Sequence, residues 1–91
     1  MALVHCEISP GLRPSEATAS VKEYGGNPQF IPVDREFLSK IKGRWYLPVV
    51  LLRIDQGKKA ALVQLPVEAD SGANRFWVDL ADVHQTEEAP A

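Results

Sequence analysis

Several residues in this sequence are of types that do chemistry. Asp70 and Ser71 lie in the run ADSGAN, and Cys6 is the single thiol. Two histidines, His5 and His84, stand near the carboxylates of Glu7 and Asp82. An aspartate before Ser-Gly suits a carboxylate pair: two such groups meeting at an axis share a proton, because both cannot ionise cheaply at close range. Ser71 as a nucleophile would want a strained strand-to-helix turn, and the Gly-x-Ser-x-Gly pattern that builds one is absent. Cys6 as a nucleophile needs a base. His5 is adjacent but points to the opposite face of an extended strand, which leaves only His84. A single cysteine allows no internal disulfide, and a small buried thiol is its expected role. His5 and Glu7 share a strand face, and His84 would join them if the terminal strands pair. No ligand spacing supports that set, so no metal is expected.

The tripeptide Asp70-Ser71-Gly72 resembles the catalytic tripeptide of aspartic proteases, whose retroviral members are homodimers of short chains. That resemblance would imply apolar residues just before the aspartate, with a glycine-rich flap and much of a barrel after it. Here Glu68 and Ala69 precede it, and only 21 residues follow. Asp, Ser, Gly and Asn are also what a tight surface loop selects. The stretch reads as a turn. No catalytic residue or cofactor is assigned, and the protein is not expected to be an enzyme.

Ninety-one residues make one small domain, and a composition 45% hydrophobic and 24% charged is that of a globular chain. No apolar run approaches the roughly 18 residues of a membrane span; the longest, Trp45 to Leu52, is strand-sized. The start, MALVHCEIS, has neither a basic region nor a long apolar one, so no signal peptide is expected. The lone cysteine fits a reducing compartment, and a cytoplasmic location is expected. Net charge is −2, unevenly spread: residues 1–34 carry −2, residues 35–59 carry +5 and residues 60–91 carry −5.

The elements that must position these residues are mostly strands. Residues 3–8 alternate, with Val4, Cys6 and Ile8 on one face. SPGLRPSE is a loop. Residues 17–24 fit a strand or a helix, and the turn chemistry of Gly25-Gly26-Asn27-Pro28 favours the strand. Asp34 can cap a short helical turn through REFLSKIK, ended by Gly43. RWYLPVVLLRI (44–54) and AALVQLPV (60–67) read as a hairpin about DQGKK, with Ala61, Val63, Leu65 and Val67 on one face. RFWVDL (75–80) places Phe76, Val78 and Leu80 inward, ADVH makes one more helical turn, and residues 85–91 form a flexible acidic tail. Prolines recur inside strand-like segments, at Pro32, Pro48 and Pro66. A strand proline belongs at an edge, a bulge or a bend, which suits a small curved barrel.

The expectation is therefore a mainly β fold: a single domain over residues 1–84, a small, partly open barrel of five to six short strands with one or two short helical turns. In the order of its loops and hairpins this layout resembles the SH3-like small barrels. Trp77 lies between Arg75 and Asp79 on the outward parity of its strand, where a large apolar ring needs something to cover it or bind it. With Tyr46, Arg44 and Arg75 it makes a candidate surface for a protein or peptide partner. A second reading is a single-stranded nucleic-acid binder that uses Lys40, Lys42, Arg44, Trp45, Lys58 and Lys59, although an acidic chain lacks the usual basic footprint. A third is a small structural subunit whose odd face is its assembly interface.

Overall fold

The computed structural model describes residues 2–85, and the acidic stretch 86–91 lies outside them. The chain runs β1 (Ala2–Pro10), β2 (Glu16–Lys22), β3 (Pro28–Asp34), a 3-10 turn (Arg35–Phe37), β4 (Ser39–Ile41), β5 (Arg44–Asp55), β6 (Ala60–Gln64), β7 (Arg75–Asp79), a second 3-10 turn (Leu80–Asp82) and β8 (Val83–Gln85). The strands make one antiparallel sheet in the order β3-β2-β1-β5-β6-β7, with β4 added to β5 and β8 to β1. Curling brings β7 back to the end of β2 through a single bridge, Glu23↔Val78, so the barrel is partly open.

The alternation of apolar residues sets the inner face. Val4, Val21, Ile31, Leu47, Val63 and Val78 are its largest fully buried side chains, one from each main strand. Residues 16–22 form a strand, with Ala17, Ala19 and Val21 buried. The helical turn expected from Asp34 to Gly43 is shorter than its spacing implied. It stops at Phe37, and Ser39–Ile41 pairs with β5 instead. Lys42 (φ 52°) and Gly43 (φ 81°) form the two-residue loop of that hairpin, the left-handed pair its twist demands. Val67 also departs from its expected face: β6 ends at Gln64, Pro66 carries the chain outward, and Val67 is exposed. Gln85, counted with the tail in the sequence, instead ends β8 opposite Ala2.

The strand prolines sit where no ladder needs their missing N–H. The two-residue turn makes Arg44 and Ile41 a hydrogen-bonded pair. Counting in twos from Arg44 puts the Pro48 nitrogen on the same edge, in the gap between Tyr46, the last partner of β4, and Val50, the first partner of β6. In β3, Glu23 N–H donates to Asn27 O at one end of the ladder, and Arg35 N–H to Ser15 O at the other. By the same count Pro28, Phe30, Pro32 and Asp34 face the open edge, and two of those four offer no donor.

Candidate binding surface

The Asp70-Ser71-Gly72 run is a turn. Ala69 N–H donates to Ala73 O and Gly72 N–H to Ala69 O, both at 2.8 Å, with Gly72 at φ 90°. Ser71 Oγ donates to Gln29 Oε1 (2.7 Å) and accepts from Ala73 N–H (3.3 Å), while Asp70 N–H donates to Phe30 O (2.8 Å). These bonds lay the loop along β3, and the Asp70 side chain is exposed. Cys6 is buried opposite Trp45, and burial pushes its thiol up from the ordinary 9.0 to about 12. It is held protonated, the opposite of what a nucleophile needs. The terminal strands do pair, Leu3 opposite His84, but the histidines meet an aromatic ring. Tyr46 lies between His5 and His84, with ring centroids 5.9 and 5.7 Å away. Among the described residues no group of three or more metal-binding side chains forms.

The four residues of the candidate partner surface fall into two groups. Trp77 and Arg75 stand together on the outer face of β7, with Trp77 half-buried and Arg75 and Asp79 exposed on either side. The cross-strand partner of Trp77 is Leu62, which in turn faces Arg53. Tyr46 lies seven residues further back along β5 and pairs with His5 and Ser39; Arg44 is at the β4–β5 hairpin. Arg53, then, is the β5 arginine in line with Trp77.

Around Trp77 an open cavity of about 470 Å³ is lined by Glu23, Tyr24, Asp55, Lys58, Ala60, Arg75 and Phe76. Tyr24 comes from the turn just after β2, Lys58 from the β5–β6 turn. Arg75 Nε donates to Gln64 Oε1 (3.0 Å), and Asp55 Oδ1 accepts from the Lys58 backbone N–H (3.1 Å). The sequence placed Trp77 and Arg75 here, but gave no sign of Tyr24, Glu23 or Asp55. Glu23 and Tyr24 arrive through the bridge from Glu23 to Val78, which no local pattern announces, and Asp55 through its pairing with Ala60, which faces Asp79 of β7.

The basic candidates are also divided. Lys40, Lys42, Arg44 and Trp45 share the β4–β5 hairpin, with Lys40 Nζ 5.4 Å from the centroid of the Trp45 ring. Lys58 and Lys59 lie beyond the other end of β5, on the order of 35 Å of extended strand away. A third feature is an apolar groove of about 630 Å³ beside the gap at Pro48, lined among others by Val50, Leu51, Leu65 and Pro66. No described helix is long and apolar enough to cross a membrane. The chain matches no protein-family model, no curated protein and no solved structure.

Proposed function

We propose that the protein is a non-catalytic module that binds a protein or peptide partner through the cavity beside Trp77. The observation that carries this reading is the placement of Trp77. The largest side chain of β7 stands on the outer face among charged neighbours and lines an open cavity, with neither the loop after β1 nor the second 3-10 turn among its walls. Aromatic and arginine side chains concentrate binding energy because they are large, stiff and polar at one end. A single buried thiol suits a reducing, cytoplasmic setting. The test compares capture from a native lysate by the wild type and by Trp77→Ala. The expected outcome is a variant with unchanged circular dichroism that has lost a partner the wild type retains. Identical captures, or gross unfolding of the variant, would end the reading.

The second reading, a single-stranded nucleic-acid binder, is favoured by the exposed cations of the β4–β5 hairpin and by Lys40 Nζ, which lies over the Trp45 ring. It requires affinity for an oligonucleotide that falls steeply with salt, and a flat response counts against it.

A further inference from the structure

A strand offers its main-chain groups to its two edges alternately. In the β6–β7 ladder, Leu65 N–H donates to Asn74 O at one end (2.7 Å) and Leu80 N–H to Lys59 O at the other (2.8 Å). Between those ends the register pairs Val63 with Phe76 and Ala61 with Val78, so Phe76 and Val78 bond β6. Arg75, Trp77 and Asp79 then direct their N–H and C=O groups to the opposite edge. The two residues that follow β2 occupy part of that edge, where Tyr24 N–H donates to Trp77 O (2.8 Å) and Glu23 bridges Val78. There the chain turns away through Gly25 (φ 99°) and Gly26 (φ 110°), a conformation glycine adopts freely. The N–H of Trp77 and both main-chain groups of Arg75 are left without a strand neighbour, at the wall of the Trp77 cavity.

We propose that this edge takes an extended peptide, paired with β7 at Arg75 and Trp77 and carrying a carboxylate toward Arg75 and Lys58. The inference rests on the binding role proposed above and adds the backbone form and the charge of the partner. An extended segment restores the pairing that ends with β2, and its alternate side chains fall on the Trp77 side of the sheet. The formal charges of Glu23, Asp55, Lys58 and Arg75 balance, so the carboxylate is assigned from the donors left free at the rim. Glu23 accepts from Gln29 Nε2 and Asp55 from the Lys58 backbone, so the carboxylates are engaged locally. Arg75 spends one of its five donors on Gln64, which holds the guanidinium at the rim with the rest of its fork available. The two edges of the sheet also differ in kind. Prolines occupy outward positions on β3, whereas the corresponding positions of β7 hold Arg75, Trp77 and Asp79.

The experiment selects displayed random 12-residue linear peptides on the full chain, with Trp77→Ala as the counter-selection. Affinities are then measured from Trp77 fluorescence in a Trp45→Phe background. Enriched peptides are expected to carry Asp or Glu. Arg75→Ala should weaken them about tenfold, and Arg75→Pro about fivefold further, because proline also deletes the outward N–H while leaving the β6 ladder intact. In the unsubstituted chain, bound peptide should slow hydrogen exchange at the Arg75 and Trp77 amides. Equal affinities for the Ala and Pro variants together with unchanged exchange would overturn strand pairing, while dependence on Trp77 would still uphold the binding role. No enrichment over the Trp77→Ala counter-selection would overturn both.

Discussion

At Cys6, burial alone decides the chemistry. Its thiol ionises near pH 9.0 in an open chain and near 12 inside this barrel. Between those values the unfolded chain has lost a proton that the native chain keeps, so each step up in pH favours unfolding. Stability should be insensitive to this group below pH 9 and should fall above it, by up to about 1.4 kcal/mol per pH unit. Urea titrations of the wild type and Cys6→Ala across pH 8 to 11 check this, and the difference between them should shrink or reverse as the pH rises. Residue roles set by local alternation were legible in the sequence: the inward Cys6, the outward Trp77, the turn at Asp70. The neighbours of Trp77 were not. Tyr24 reaches it because Glu23 pairs with Val78, a contact between segments far apart in the chain. Tyr46 and Arg44 share a parity on β5, yet they lie at the wrong end of a long strand.

The segment from Asp34 to Gly43 shows how far an element can be read from spacing. Phe37, Leu38 and Ile41 recur at a helical interval, but Phe37 is exposed and the segment is only a 3-10 turn followed by a short strand. The left-handed Lys42-Gly43 pair and the demand of β5 for a neighbour outweigh a weak helical pattern. The prolines, by contrast, were informative. Pro32 faces the open edge of β3, where it withholds a donor from any strand that approaches. Pro32→Val should leave the monomer folded, since β-branched residues suit strands, but should promote association that grows with concentration. Size-exclusion chromatography with light scattering from 10 to 500 μM (on the order of the range where exposed edges cause association) would read it. A monomer throughout that range would mean that the Asp70 loop, bonded to Phe30, is protection enough.

The whole molecule holds together through one core, made of Phe76 and of aliphatic and small side chains from every main strand, unaided by any disulfide. A domain of this size has about 5–14 kcal/mol of net stability. Leu47 is fully buried on β5, the strand that joins the two halves of the sheet. Leu47→Ala should cost about 2–5 kcal/mol and lower the midpoint of thermal unfolding by roughly 10 °C or more, measured by calorimetry. A mainly β barrel with short helical turns was readable from alternation and turn residues, because those patterns are local. The order of the strands was not, because it is fixed by contacts that only the folded chain makes. One such contact bears on how the protein is made. The outer edge of Ala2–Val4 is paired by Val83–Gln85, the last described residues to leave a ribosome. The first strand therefore waits through the synthesis of some eighty residues for this neighbour (Ala2 pairs with Gln85), its edge open meanwhile to chaperones and to other nascent chains.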